Sequence, residues 1–286
     1  MNKIALGTAQ FGIDYGINNK RGKIPKKEVY DILNKAKEFE IDTIDTAYDY
    51  GESEKVIGSF LKITNYKFKI ISKLPGCKNN EVKKIFESSL NNLGLSMIYG
   101  YLIHSFESYK KDKRIWKEIE KLKKDGKIEK IGFSLYYPQE LKYLFEKKVD
   151  IDMIQIPYSI FDQRFSTFLI ELKQRNIEVY ARSVFLQGLV FKKLDELDQR
   201  FLKIKSKMSF LFDLSKELNL PISIICIGFV LLNNDVDKVI IGVDRKKNLI
   251  ENILQLNYIS SIIPFYGKLK ELKEDDENIL IPSNWK

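Results

Sequence analysis

Asp45 and Tyr50 stand five residues apart in Ile44-Asp45-Thr46-Ala47-Tyr48-Asp49-Tyr50-Gly51, where an apolar strand gives way to a loop. Lys73 and His104 end the next two apolar runs, 68–73 and 99–104, and His104 is the sole histidine of the chain. A carboxylate, a phenol, an ammonium and an imidazole at three successive strand ends suit proton transfer to a carbonyl oxygen. A free phenol has a pKa of about 10 and keeps its proton at neutral pH. The Lys73 ammonium beside it would favour the phenolate and ease donation, by roughly 1.4 kcal/mol for each pKa unit shifted. Asp45 would keep that lysine charged and oriented, and His104 would donate a hydrogen bond to the same carbonyl oxygen. Each residue alone has a plainer role. Asp45 would cap a helix or turn, Tyr50 would pack with its hydroxyl at the surface, Lys73 would be one more exposed lysine and His104 a satisfied, partly buried histidine. Only their equivalent places in successive units favour the joint reading, and that requires a fold in which strand ends converge.

Strand patterns fall at residues 4–8, 43–46, 68–72, 99–104, 130–133, 153–156, 178–181 and 238–241. Between them lie segments with apolar residues at helical spacing, such as Val29, Ile32, Leu33 and Ala36, or Val82, Ile85, Phe86 and Leu90. Strands separated by helices pair in parallel through right-handed crossovers. Eight such units, with no Gly-x-Gly-x-x-Gly opening the first helix, predict a closed (β/α)8 TIM barrel of one domain rather than a doubly wound sheet. Residues 11–23 and 184–206 read as long loops after the first and seventh strands, where loops of this kind shape a substrate mouth. Residues 207–219 and 222–233, separated by Pro221, read as two helices before the eighth strand, one more than the repeat needs. In such a barrel the active site lies at the C-terminal strand ends, and neighbouring strands are about 4.8 Å apart, so Asp45, Tyr50, Lys73 and His104 can meet around one ligand.

The 286 residues are 44% apolar, enough for a sizeable core, and contain no apolar run long enough to span a membrane. Met1-Asn2-Lys3 runs directly into a strand without the apolar stretch of a secretory signal. Cys77 and Cys226, far apart and without a metal-ligand cluster, point to a reducing compartment, and the cytosol is expected. The formal charge of +9 comes from lysines interleaved with acids, as in Lys117-Glu118-Ile119-Glu120-Lys121, which reads as a solvated helix face rather than a nucleic-acid surface. A modest positive excess also suits a phosphorylated cofactor.

With Asp45, Tyr50-Gly51, Lys73 and His104 in these places, the chain resembles the aldo-keto reductase superfamily, from Leu6-Gly7-Thr8 through Glu251-Asn252. The resemblance implies a general-acid Tyr50 supported by Lys73 and Asp45, a substrate-orienting His104, and hydride from a nicotinamide held at the barrel mouth. It places Gly7 and Thr8 in the cofactor site and implies that Ser134 and Gln155 hold the nicotinamide carboxamide, with Leu135 where an Asn usually follows the Ser. Arg182 occupies the approximate place of a stacking aromatic; a guanidinium plane stacks too, but its charge alters how the oxidised ring is held. Ser183, Leu186, Gln187 and Gly188 fall where the pyrophosphate loop begins. Gly242, Asp244, Arg245, Asn248, Glu251 and Asn252 match the adenosine-end motif. Asp244 and Asn248 replace a phosphate clamp that Arg245, Lys246 and Lys247 would have to restore, so NADP is expected on family habit, with NAD as the alternative.

The first loop, Gly7-Thr8-Ala9-Gln10-Phe11-Gly12-Ile13-Asp14-Tyr15-Gly16-Ile17-Asn18, resembles a subgroup associated with surface-sugar assembly. It implies a small carbonyl substrate such as a sugar or nucleotide-linked deoxysugar, with Phe11 and Tyr15 near the mouth. Tyr158 and Arg164 on the sixth loop are further candidates, Arg164 for a substrate phosphate or carboxylate, against a plainer role in packing and ion pairing. Two rivals accompany this reading: a lyase in which Lys73 forms a Schiff base, and a cofactor-binding sensory subunit with little turnover.

Overall fold

The computed structural model describes residues 3–285, so Met1 and Asn2, which enter the reading of the N-terminus, lie outside the described residues. Eight parallel strands follow one another around a closed barrel: β1 (Ile4–Gly7), β2 (Thr43–Asp45), β3 (Lys69–Leu74), β4 (Ile98–Ile103), β5 (Ile128–Ser134), β6 (Met153–Pro157), β7 (Glu178–Arg182) and β8 (Lys238–Gly242). Pairing of β1 with both β2 and β8 completes the ring. All eight expected strands are present, with ends shifted by no more than two residues.

Thirteen helices occur among the described residues: α1 (Ala9–Gly12), α2 (Lys26–Glu38), α3 (Ser53–Thr64), α4 (Val82–Leu93), α5 (Phe106–Lys111), α6 (Arg114–Lys124), α7 (Pro138–Glu146), α8 (Leu169–Gln174), α9 (Lys205–Glu217), α10 (Ile222–Leu231), α11 (Lys246–Gln255), α12 (Tyr266–Glu271) and α13 (Glu277–Leu280). The outer helices are amphipathic. On α6, Ile115, Trp116, Ile119 and Leu122 are buried while the lysines between them face outward, which is the one-stripe pattern of a helix packed on a sheet. α10 is apolar on every side and seven of its ten residues are buried, because it lies between α9, β8 and the segment after α11. It is the additional helix expected before β8. The two long loops contain short structure: α1 starts the first, and 3₁₀ turns at Leu186–Phe191 and Gln199–Ile204 fill the second.

The barrel interior holds Ala5, Ile71, Leu102, Met153, Tyr180 and Ile240, a small core distinct from the large one between strands and helices. Below it Glu178 accepts hydrogen bonds from Tyr99 (2.9 Å) and Tyr180 (3.2 Å) and pairs with Lys130 at 3.6 Å, closing the N-terminal end with a satisfied polar plug. Among the described residues no single helix is long and apolar enough to cross a membrane.

The C-terminal segment is tied to the sixth loop through Glu274. Its backbone N–H donates to the Phe161 carbonyl (2.8 Å), and its buried carboxylate pairs with Lys207 (2.9 Å) and Lys203 (3.3 Å) and accepts from the Asp275 and Asp276 amides. Those donors outweigh the burial that opposes them and bring its pKa from 4.5 down to about 2. A depressed folded-state pKa contributes stability that is complete above the unfolded value, near 4.5, and is lost as the pH falls through about 2. Glu274→Gln is therefore expected to cost about 2 kcal/mol at pH 7, in the range for charge-assisted hydrogen bonds, with the difference from wild type shrinking between these two pH values. Urea unfolding at pH 7 and pH 3 measures it; an equal deficit at both would contradict the linkage.

Candidate active site

Strand register sets the chemistry. Asp45 on β2 pairs with Ile71 on β3, and Lys73, two residues further along β3, lies on the same face, so ammonium and carboxylate meet inside the barrel. Lys73 Nζ donates to Asp45 Oδ1 (2.8 Å), Asp45 Oδ2 (2.9 Å) and the Thr46 carbonyl (2.8 Å). Lys73 is fully buried and Asp45 is 3% exposed. From the opposite wall, Gln155 on β6 donates its Nε2 to Asp45 Oδ1 at 2.7 Å. Behind the pair, Thr8 Oγ1 donates to the Asp45 carbonyl (2.8 Å), and Ser53 and Thr46 continue the hydroxyl chain. Removal from water costs a buried charge several kcal/mol, and this pair persists because its donors and acceptors are engaged.

Tyr50 Oη lies 3.5 Å from Lys73 Nζ, with the ammonium 4.9 Å from the ring centroid. Burial, and next the Asp45 carboxylate, push its phenol well above the ordinary value of 10, with the Arg182 guanidinium opposing. The net shift is upward even with the Lys73 ammonium beside the ring, because Asp45 engages that ammonium through both carboxylate oxygens. Burial likewise lowers the Lys73 ammonium, with Asp45 opposing. His104 stands edge-on to Tyr50, centroids 6.0 Å apart at 83°. Burial lowers its imidazole from 6.5 against the pull of Asp49, so the ring is neutral at pH 7. Its Nδ1 lies 3.7 Å from Asp49 Oδ2, beyond hydrogen-bond distance. The Tyr50 turn packs directly on the first loop. A Cβ on Gly12 would meet the Tyr50 carbonyl oxygen at 1.7 Å, and one on Gly51 (φ +56°) would meet the Gly12 carbonyl oxygen at 2.6 Å.

Asp45, Tyr50 and His104 line one end of a cavity of about 810 Å³, which continues past Ser134, Gln155, Arg182 and Ser183 to Gly242, Asp244, Asn248, Glu251 and Asn252. Arg182 stacks its guanidinium on Tyr136 (4.1 Å to the centroid) and donates to the Leu135 carbonyl (2.9 Å) and Ser183 Oγ (3.0 Å). Its Nε is buried without a hydrogen-bond partner. Ser134 and Gln155, paired across β5 and β6, are joined only by a long 3.5 Å contact and retain bonding capacity. Across the cavity, the first loop is strapped to the seventh: the Ile17 N–H donates to the Gln187 carbonyl (3.0 Å) and Asn18 Nδ2 to the Gly188 carbonyl. Ser183, Leu186, Gln187 and Gly188 all have left-handed backbone (φ +61°, +44°, +51° and +92°), so the chain doubles back here.

The family profile of the aldo/keto reductases, "Aldo/keto reductase family", matches residues 3–261 of this chain. The chain belongs to the aldo/keto reductase family. Among curated proteins it is 25% identical to "Uncharacterized oxidoreductase YqkF" of Bacillus subtilis over 228 residues, 74% of each chain. It is 31% identical over 153 residues to the "9,11-endoperoxide prostaglandin H2 reductase" of Trypanosoma cruzi, covering 51% of this chain and 52% of that one. Among solved structures, aldo-keto reductase AKR11C1 from Bacillus halodurans, in its holo form, superposes with a TM-score of 0.78 at 17% identity, over 99% of this chain and 95% of the other, which attests the fold. Membership makes the protein an NAD(P)-dependent oxidoreductase that acts on small-molecule carbonyl compounds.

For this reductase, the cavity collects Gly7, Thr8, Asp45, Tyr50, His104, Ser134, Gln155, Arg182, Ser183, Gln187, Gly188, Gly242, Asp244, Asn248, Glu251, Asn252 and Tyr15, while Lys73 acts from behind through its bonds to Asp45 and Tyr50. Five expected residues lie elsewhere. Phe11 is 1% exposed in the core, because α1 turns its ring inward. Tyr158 is 2% exposed, stacked on Phe229, and accepts from Asn233. Arg164 pairs with the buried Asp162 (2.8 Å) and with Glu277 (3.6 Å). The Leu186 side chain is fully buried under its turn. Arg245 is exposed and does not line the cavity.

Sequence reasoning missed Tyr136 and Gln10, which line the cavity. Tyr136 carried a faint signal, two residues after Ser134 on a strand-end loop. Ser215, Ser223 and Phe212 line it from α9 and α10, and helical periodicity gave no reason to separate them from packing residues.

Proposed function

We propose that this chain reduces a ketone or aldehyde to an alcohol, Tyr50 giving the proton to the carbonyl oxygen while NAD(P)H, when bound, supplies the hydride. The observation that carries it is Tyr50 Oη at 3.5 Å from the buried Lys73–Asp45 pair, in the same cavity as the Ser134–Gln155 couple. The lining suits the cofactor: the unpartnered Arg182 Nε and the weakly joined Ser134 and Gln155 offer polar groups to the nicotinamide, and Glu251 and Asn252 lie at the adenosine end. The glycines Gly7 and Gly242 leave the strand ends bare, since a Cβ on either would meet a neighbour at 3.0 Å. Asp45 fixes Lys73, Lys73 holds the Tyr50 hydroxyl, and His104 with its proton on Nε2 donates to the substrate oxygen. Loss of reduced-cofactor absorbance across a carbonyl and sugar panel tests the reading; tight cofactor binding without turnover would favour the sensory subunit. The full burial and threefold hydrogen bonding of Lys73 count against a Schiff-base role.

The substrate we propose is a sugar or nucleotide-linked deoxysugar, supported by Tyr15, Asn18 and Tyr136 at the mouth, two rings and an amide suited to hydroxyl-bearing rings. The exposed face of Tyr15 borders the cavity, and its phenol is pushed up to about 12 by burial and by Tyr50 nearby, so it remains a donor at neutral pH. The cofactor we propose is NADP. The proposal rests on family habit: Lys246 and Lys247 face Asp31 (4.0 Å) and Glu251 (3.5 Å), Arg245 stands outside the lining, and Asp244 within it is the argument for NAD. The free thiols of Cys77 and Cys226 support a reducing compartment, the cytosol.

The strap over the cavity gives a kinetic expectation. Asn18→Ala removes the side-chain bond to the Gly188 carbonyl but leaves the backbone bond from Ile17. Cofactor release is expected to quicken about five-fold with little change in association, as one net hydrogen bond of about 1 kcal/mol implies. Stopped-flow displacement of bound NADPH reads both rates, and an unchanged off-rate would show that the strap does not hold the cofactor.

A further inference from the structure

Arg182 is the one guanidinium that lines the cavity among the described residues, and its contacts leave its charge unpaired. Its partners are a carbonyl, a hydroxyl and an aromatic ring, all neutral, and no carboxylate among the described residues lies within ion-pair distance. Glu140, which feels it through space, is itself engaged by the Tyr136 and Tyr137 amides at 2.8 and 3.0 Å. The other ionisable groups around it are Tyr15 and Tyr50, which burial keeps protonated at neutral pH, His104 with the half-exposed Asp49 carboxylate 3.7 Å behind it, and Lys73, already paired with Asp45. Arg182 therefore places an unpaired positive charge at the catalytic end of the cavity. That charge lies at the β7 end, beside the Ser134–Gln155 couple, with Arg182 paired to Pro157 across the β6–β7 ladder.

We propose that Arg182 makes the site discriminate between the two redox forms of its own cofactor, holding the uncharged reduced nicotinamide in preference to the cationic oxidised ring. The inference rests on the cavity being the cofactor site. Reduced and oxidised cofactor differ at the ring by one positive charge, and only the oxidised form meets Arg182 as a like charge. Two consequences follow for turnover. The oxidised product cofactor leaves more readily than the reduced one. The bound couple also becomes a weaker reductant than the free one by about 30 mV for each ten-fold preference.

Calorimetric titration of the full chain at pH 7 with NADPH and NADP+, and in parallel with NADH and NAD+, tests this. Wild type is expected to bind the reduced form about ten-fold more tightly, Arg182→Lys to keep most of that ratio, and Arg182→Met to bring it near unity (about 1.4 kcal/mol by the ten-fold rule). Arg182→Gln serves as a second neutral variant should Arg182→Met fail to fold. A ratio unchanged in the neutral variants, or equal loss in Arg182→Lys, overturns the charge argument while leaving the cofactor site intact. Failure of wild type to bind any of the four nucleotides overturns the cofactor reading, and this inference with it.

Discussion

Tyr50→Phe is expected to lower kcat for carbonyl reduction by about 10³-fold, within the roughly 10²- to 10⁴-fold contribution of a positioned general acid. The substitution removes one oxygen from a ring whose place is set by the turn before Gly51, so cofactor affinity should change less than about two-fold, since a Tyr→Phe exchange alters the packed ring little. Steady-state rates followed at the reduced-cofactor absorbance, with cofactor titration on the same preparation, separate the two effects. Retention of more than a tenth of wild-type kcat would remove Tyr50 from the role of donor. The pH dependence carries a sign. Because burial and Asp45 raise the phenol above its ordinary value, reduction should keep its acid through pH 7 to 9 and lose it only above about 10. An alkaline limb near pH 8 would point to a different donor.

Lys73→Met carries the largest expected loss of stability. It leaves the Asp45 carboxylate, 3% exposed, with Gln155 as its remaining side-chain donor, and removes the donor to the Thr46 carbonyl. Breaking a buried pair from one side costs about 3–5 kcal/mol. Asp45→Asn in the same background should return at least half of that, because the stranded charge is then gone, whereas activity should stay low in both. Urea denaturation of the wild type, the single variant and the double variant makes the comparison. A single-variant loss below about 1 kcal/mol would mean that water reaches the pair after all.

Much of this molecule was legible from residue order. Parallel strands need both faces covered, so each reads as a short apolar run, and the eight runs sit within two residues of their strands. The Asp45, Tyr50, Lys73 and His104 addresses followed from strand ends, because register places equivalent residues at the same height. Loops gave less. Phe11 and Tyr158 belong to the first and sixth loops, whose place suggests the mouth, but a four-residue helix and a stack on Phe229 turn them inward. Arg164 meets Glu277, more than a hundred positions away, a contact that no local pattern encodes. The upward phenol shift has the same root. The pattern brings Lys73 and Tyr50 together, but burial, the largest cause of that shift, is not in the pattern.

The backbone contact between Gly12 and the Tyr50 turn has a practical outcome for anyone who wishes to retarget this enzyme. Two chain segments that touch at Gly12 and Gly51 leave no room for a side chain on either, so these positions form a fixed joint between recognition and chemistry. Beyond that joint, Tyr15, Asn18 and Asn19 line the cavity. A library that varies those residues and spares the glycines should yield altered substrate choice with the proton donor still in register. One that includes Gly12 should yield mostly misfolded or inactive chains.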